Sequence, residues 1–334
     1  SLLDTPFQTA DGWLTHTARG CPVYFHRTEP GFIGRTMIEW TGPEGHVSAL
    51  KARGELGLGD ETDIYRTLGL PWIPPELRSW DGAVAWVEQH GLPPLVEADR
   101  ILGDLHAHTT FSDGANSLEE MAAAARQKGY RYLAITDHSQ SLKVARGLSP
   151  QGLMEQGRQI DELNRQWDDF RLLKGTECDI LTDGRMDFPD EVLAELDVVV
   201  ASVHGQFDLP AEQQTDRILT AMRNPHVDII GHLTGRLLLK RSGLAVNWER
   251  LLAAGIGTGT ALEMNGSPHR LDASPEKAMQ WIRQGGRVSL DSDSHTIGEL
   301  SYMRHGIRLA RRAWVPPDRV LNAQPWPVLQ EWLR

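Results

Sequence analysis

From residue 101 onward, short apolar runs alternate with helical segments at regular spacing. Seven runs have the length and composition of buried strands: residues 101–105, 132–136, 171–177, 198–203, 227–231, 261–265 and 287–290. The segments between them carry helix ends. Ser117-Leu-Glu-Glu120 is a capping box, and Gly129 closes that helix. Ser149-Pro150 and Ser274-Pro275 each set an N-cap before a proline at the first helical position, and Gly285 stops the last of these helices. Repeated strand–helix units build a parallel sheet. Seven of them predict an α/β fold: a distorted seven-stranded (β/α) barrel, related to the eightfold barrel with one unit missing.

The first 99 residues have a different texture. They are rich in Gly, Pro and Trp, with strand-like runs at 23–25 and 36–40 and a helical stretch beginning near Glu44. Residues 69–76 hold too many prolines for a helix and predict an extended connector. A short amphipathic run, 82–90, and the pair Pro93-Pro94 follow. This predicts a small N-terminal α+β segment (1–60), a linker (61–99) and a large domain (100–334).

The polar residues gather at the strand ends. The first strand runs into His106-Ala-His108, with Asp113 just beyond. The second ends in Asp137-His138, the third in Glu177, the fourth in His204 and the fifth in His232. The seventh runs into Asp291-Ser-Asp293-Ser-His295. In a parallel barrel these ends share one rim, where active sites lie. His106 and His108 are two apart and so point to one side of a strand; Asp293 and His295 repeat that spacing. Taken singly, a histidine at a strand end is more often structural, and Asp113 within Ser-Asp-Gly is an ordinary turn residue. The same chemistry at six strand ends points instead to a metal cluster. Mixed nitrogen and oxygen donors without thiolate suit Mn²⁺, Zn²⁺ or Fe²⁺. Nine donors exceed what one ion uses, so about two or three ions are expected, with a carboxylate such as Glu177 able to bridge. Clustered ions activate water and clamp phosphate oxygens.

Other residues are candidates by position. Asp137 is a candidate catalytic or orienting group. His269 and Arg270 follow the sixth strand, close enough to the rim to touch substrate, and Arg270 and Arg236 are candidates for holding phosphate. Cys178 follows Glu177 on its strand and should point away from the rim as a small packed residue. His16, His26, His46, His90, His226 and His305 lie away from strand ends and carry no assignment.

Composition narrows the class. At 40% hydrophobic and 24% charged the chain reads as a soluble globular protein. No apolar run reaches the roughly 18 residues of a membrane helix, and the opening residues lack the layout of a secretion signal. Two distant cysteines, Cys21 and Cys178, exclude a disulfide framework and predict a cytoplasmic location. The net charge of −11 argues against a generic nucleic-acid binder. Two or three bound divalent ions would add about four to six positive charges where they matter.

At these residues the chain resembles the polymerase and histidinol phosphatase (PHP) family. The motifs are Asp104-Leu-His-Ala-His108, Ser112-Asp113-Gly114, Ile135-Thr-Asp-His138, Gly175-Thr-Glu177, Ser202-Val-His204, Gly231-His232 and Asp291-Ser-Asp293-Ser-His295. The resemblance covers about residues 100–315 and implies a distorted seven-stranded barrel holding up to three metals. It implies that His106, His108, Glu177 and Asp293 hold one ion, that Glu177 bridges to a second with His204 and His232, and that Asp113, His138 and His295 hold the third. Within that family the chain most resembles the C-terminal domain of bacterial family X DNA polymerases. The supporting segments are Thr41-Gly-Pro-Glu-Gly-His46, which resembles the end of a polymerase palm and the start of its thumb, residues 64–77, which resemble the linker from thumb to PHP domain, residues 265–271 and Tyr302-Met-Arg-His-Gly306. The resemblance thus implies a partial palm/thumb-like segment over 1–60 and a thumb remnant and linker over 61–99. That setting implies removal of nucleotides from DNA 3′ ends, usually with Mn²⁺, and in some members cleavage at abasic sites. Polymerisation is not expected. Tyr24 stands where the family has a palm aspartate, and no pair of carboxylates set to hold a metal for nucleotide addition is found before residue 100. Two other readings compete: a phosphatase acting on a small phosphate monoester such as histidinol phosphate, and a non-catalytic metal-stabilised module, whose signature would be missing ligands.

Overall fold

Strand pairing in the second half of the chain follows sequence order without a break. In the computed structural model, which describes residues 7–9 and 12–333, seven strands form one parallel sheet. They are β4 (Gly103–Asp104), β5 (Tyr132–Ile135), β6 (Arg171–Asp179), β7 (Val198–Ser202), β8 (Ile229–Ile230), β9 (Ala261–Asn265) and β10 (Val288–Asp291). Every pair from β4–β5 to β9–β10 is parallel. The helices α5 (Leu118–Gln127), α6 (Pro150–Asn164), α7 (Asp190–Leu193), α8 (Ala211–Met222), α9 (Trp248–Thr258), α10 (Pro275–Arg283) and α11 (Met303–Arg312) lie between and after the strands. The predicted starts hold: Ser117 and Glu120 form the capping box, and Ser149 and Ser274 accept from Gly152 and Lys277.

The sheet curls until β10 returns to β4. Ladder pairing there is minimal, with one bridge between Ala107 and Ser294 and the His108 amide donating to Ser294 O at 2.8 Å. A side chain fills the rest of the seam. Buried Asn322 donates to Gly103 O (2.9 Å) and to Leu290 O, accepts from Leu290 N at 3.0 Å, and its own carbonyl accepts from Leu102 N at 2.8 Å. This explains why β4 is shorter than its apolar run predicts: one edge pairs with β5 and the other meets an asparagine. Inside the barrel, Leu105, Tyr132, Ala134, Leu173, Val198, Val200, Ile229 and Ala261 pack together. Leu321 and Leu329, the latter on α12 (Trp326–Trp332), join this core.

The residues before Pro94 form a separate compact unit. Its antiparallel sheet pairs β1 (Phe7–Thr9), β2 (Gly12–His16) and β3 (Pro22–His26). Its helices are α1 (Ile33–Thr41), α2 (Glu44–Lys51), α3 (Glu61–Thr67) and α4 (Ala83–His90). The run 36–40, expected as a strand, lies inside α1. Its burial recurs at four residues, Gly34 and Ile38, rather than at two. Helix α3 was not expected and starts where the Asp60 carboxylate accepts from Asp63 N at 2.8 Å. Of the connector expected at 69–76, residues 70–74 lie in no helix or strand, but Pro75–Leu77 form a 3-10 turn, since proline suits the first position of a helical turn. Fully buried His46 pairs its Nε2 with the Tyr65 hydroxyl at 2.7 Å.

Candidate metal centre

The barrel topology brings nine predicted donors to one rim, and Glu177, fully buried, stands at their centre. Its Oε1 lies 2.8 Å from His232 Nε2 and 3.1 Å from His204 Nε2. Its Oε2 lies 2.9 Å from His138 Nδ1, 3.4 Å from His106 Nε2 and 3.6 Å from His108 Nε2. Asp293 Oδ1 sits opposite, 3.6 Å from His106 Nε2 and 3.4 Å from His108 Nε2. At the outer edge Asp113 Oδ1 is 3.5 Å from His138 Nε2 and 3.4 Å from His295 Nε2. Three donor sets emerge: His106, His108 and Asp293; His138, Glu177 and His204; His108, Asp113, His138 and His295. The groups overlap, because the rings of His108 and His138 are stacked 4.4 Å apart and His108 also stacks on His295 at 4.1 Å.

The donors fit metal ions better than they fit each other. His106 Nε2, both ring nitrogens of His108 and His232 Nδ1 are buried with no hydrogen-bond partner, and His138 Nδ1 and His204 Nε2 lie near Glu177 without the geometry of a hydrogen bond. Each such orphan costs about 1–3 kcal/mol unless a ligand satisfies it. Separations of 3.4–3.6 Å between His106, His108, Glu177 and Asp293 are too long for hydrogen bonds. They suit two donors that each lie about 2.0–2.2 Å from a shared ion.

Outer groups aim these donors. His106 Nδ1 faces Glu263 Oε1 at 2.6 Å, and His204 Nδ1 faces Asp179 Oδ1 at 2.5 Å, so each Nε2 turns to the cluster. Asn265 Nδ2 and Arg270 Nε hold Asp293 Oδ2 at 3.1 and 3.2 Å, leaving Oδ1 for the donor set. A Cβ at Gly114 would lie 2.7 Å from the His108 backbone, so only glycine lets the Asp113 loop fold this closely. His232 (φ 22°) and Asp293 (φ 54°) adopt left-handed backbone conformations, the kind of strain that persists where surrounding structure enforces it.

The electrostatics follow from this crowding. Burial opposes ionisation of Glu177, but His204, His106 and His138 outweigh it and hold the carboxyl well below its usual range. Burial likewise opposes charge on His138 and His295, yet Glu177 and Asp113 lift His138 to about 10, and Asp113 and Asp293 lift His295 to about 9. His108 goes the other way, to about 3, through burial and the neighbouring His295 and His138.

Residues 104–267 match the PHP domain family. A probable phosphatase of Caldanaerobacter subterraneus subsp. tengcongensis is 30% identical over 234 residues, 67% of this chain and 87% of that protein. The chain belongs to the PHP family. It is also 44% identical over 274 residues, 82% of its length, to the DNA polymerase/3′-5′ exonuclease PolX of Bacillus subtilis, and it spans about half (48%) of that longer relative. A solved histidinol phosphate phosphatase from Lactococcus lactis, in complex with zinc, L-histidinol and phosphate, superposes with a TM-score of 0.46 at 20% identity, covering 62% of this chain and 93% of that one.

Two of the candidates in this PHP chain serve other ends. Asp137 does not face the cluster. Its Oδ1 accepts from Thr109 N (2.8 Å), Ser112 N (3.2 Å) and the Ser112 hydroxyl, and its Oδ2 from Thr109 Oγ1 and Gln156 Nε2, both at 2.5 Å. It pins the loop that carries Asp113. Arg236 spends its guanidinium on backbone, donating Nε to Arg270 O at 2.8 Å and Nη2 to Leu271 O. Arg270 and His269 do reach the site, lining a cavity of about 310 Å³ with Asp293 and His295. Cys178 is buried, and burial pushes its thiol up to about 12. Glu263 and Asp179 went unpredicted. The signal for Glu263 was a lone carboxylate within the buried strand Ala-Leu-Glu-Met-Asn; Asp179 gave none, because its partner His204 is 25 residues away.

Proposed function

We propose that this chain is a divalent-metal-dependent phosphoesterase that removes nucleotides from DNA 3′ ends. The observation that carries the metal dependence is the convergence of nine His, Asp and Glu donors on one rim, six of them with a buried atom that has no hydrogen-bond partner. In this reading His106, His108, Glu177 and Asp293 hold one ion, His204 and His232 join Glu177 at a second, and Asp113, His138 and His295 hold a third. The donor set suits Mn²⁺ or Zn²⁺, with Fe²⁺ also compatible. Bound ions would acidify water and neutralise phosphate charge.

The chain's own residues do the rest. Arg270, tied to Asp293 at 3.2 Å, borders the cavity as a cation for a phosphate oxygen. His269, exposed on the same loop, is within the cavity wall and can share that contact or a proton. Lys240 adds a third basic group. Asp137 holds the Asp113 loop, and Glu263, Asp179 and Asn265 fix the orientation of donors.

DNA is favoured by the 44% identity to PolX, which extends over residues outside the barrel. A small phosphate monoester is the second reading, supported by the probable phosphatase related along 87% of its own length. No helix among the described residues is long and apolar enough to cross a membrane.

The test uses purified chain with Mn²⁺ or Zn²⁺, a single-stranded oligonucleotide and histidinol phosphate. Release of 3′ nucleotides, lost in His106→Ala/His108→Ala, is expected. Much faster hydrolysis of histidinol phosphate would transfer the assignment to the second reading. Nucleotide release undiminished in the double variant would show the site to be elsewhere. Template-directed primer extension is not expected, since Tyr24 is an exposed side chain on β3 where a metal-binding carboxylate would be needed.

A further inference from the structure

The loop after His232 carries two leucines that the fold does not use. Leu239 is fully exposed and Leu238 is 39% exposed. Leu239 also has φ 63°, a left-handed conformation that favours glycine or asparagine. Neither packing nor backbone preference accounts for leucine at this position. Yet the loop is built firmly. Leu237 N donates to Arg241 O at 3.0 Å, and Lys240 N and Arg241 N return bonds to Leu237 O at 3.0 and 2.8 Å. Arg241 Nε donates to Gly235 O at 2.9 Å, and its guanidinium lies 3.6 Å over the Phe207 ring. Leu238 N donates to His269 O at 2.8 Å, tying the tip to the loop that bears Arg270.

This tip borders the metal centre through Leu238 and Lys240, while Leu239 lies just outside the cavity there, in the adjoining surface hollow that it shares with Leu238 and Lys240. Leu238 and Lys240 line the cavity of about 310 Å³ together with Arg270, Tyr302 and the donors Asp293 and His295. The lining is basic at Lys240 and Arg270, acidic at Asp293 and Glu299, and apolar or aromatic at Leu238 and Tyr302. A nucleotide presents that combination: an anionic phosphate and a flat base with apolar faces. A small phosphate ester with no apolar group would leave the leucines without a partner. Two leucines are also far too small for a stable protein interface, which buries about 800 Å² on each side.

We propose that Leu238 and Leu239 form an apolar lip that packs against the 3′-terminal base of a DNA strand whose last phosphodiester lies at the metal donors. The proposal rests on the nuclease reading above and adds a base contact as the source of its preference for nucleotides.

The decisive variant is Leu238→Ser/Leu239→Ser in the full chain with Mn²⁺. Three substrates are compared: a single-stranded oligonucleotide, the same oligonucleotide ending in a base-free deoxyribose, and p-nitrophenyl phosphate. The variant should lose about tenfold in kcat/KM on the normal 3′ end, the low end of what a base–aromatic stack contributes, because leucine offers apolar area but no ring. Its rates on the base-free end and on p-nitrophenyl phosphate should match those of the parent. Both leucines are exposed, so the melting temperature should not move. An unchanged rate on the normal end, or equal loss on all three substrates, would overturn the lip. A parent chain that cleaves p-nitrophenyl phosphate but neither oligonucleotide removes the nuclease reading and the lip with it. A parent that degrades DNA while the variant does so equally well removes the lip alone.

Discussion

Glu263 Oε1 stands 2.6 Å from His106 Nδ1, although β9, the strand that carries Glu263, supplies none of the nine proposed metal donors. The same carboxylate accepts from His232 N through Oε2 and from Asn265 Nδ2 at 3.2 Å. One buried acid thus sets the ring of one donor histidine and the backbone of another.

Replacing Glu263 by glutamine should therefore weaken metal binding without unfolding the barrel. An outer carboxylate on a ligating histidine is worth roughly ten- to a hundredfold in affinity. Titration of the metal-free protein with Mn²⁺ should show that loss, and circular dichroism should be unchanged. Affinity equal to the parent's would mean that His106 does not bind an ion through Nε2.

Metal should also stabilise the barrel. The orphaned atoms of His106, His108, His204 and Glu177 are satisfied only when ions are present. At a free-ion concentration a thousand times Kd, one binding event adds about 4 kcal/mol to stability. Differential scanning calorimetry with and without chelator should show the barrel transition several degrees lower in chelator.

Metal uptake at the Asp113 group should release protons. Without ions, His138 and His295 are held protonated, at about 10 and about 9, and a ligating imidazole must be neutral. Apparent affinity should rise with pH across the neutral range, approaching tenfold per pH unit for each proton displaced. Proton release on adding Zn²⁺ to weakly buffered protein checks the sign.

The N-terminal unit should weaken in acid. Burial first, then the nearby Arg78, lowers His46 to about 4 from an ordinary 6.5. A depressed folded-state value means that the unfolded chain binds the proton first. This contribution is present above about pH 6.5 and is lost as pH falls towards 4. Thermal melts between pH 7 and 4.5 should show the loss, and His46→Gln should flatten it.

Closing the barrel depends on Asn322. Asn322→Ala removes the side-chain bonds to Gly103 O, Leu290 O and Leu290 N in a buried seam. Leaving those backbone groups unpaired should cost about 2–4 kcal/mol, visible as a lower urea midpoint.

The barrel was legible because its signals are local. Strand runs, the capping box at Ser117 and the N-caps at Ser149 and Ser274 depend on residues a few positions apart. The convergence of the nine candidate donors was legible because a parallel barrel brings the C-terminal ends of its strands to one rim. The run 36–40 misled because β-branched and aromatic residues occur in both element types, and only burial at Gly34 and Ile38 separates the two.

Sequence by itself determined the barrel order and the chemistry of the rim. It could not decide how the ends of the barrel meet, because Asn322 lies 219 residues from Gly103. Nor could it assign Asp137 and Arg236, whose residue types suit both catalysis and bracing. Tertiary structure decided these. A buried carboxylate or guanidinium is committed to whichever donors and acceptors surround it, and those neighbours are distant in the chain.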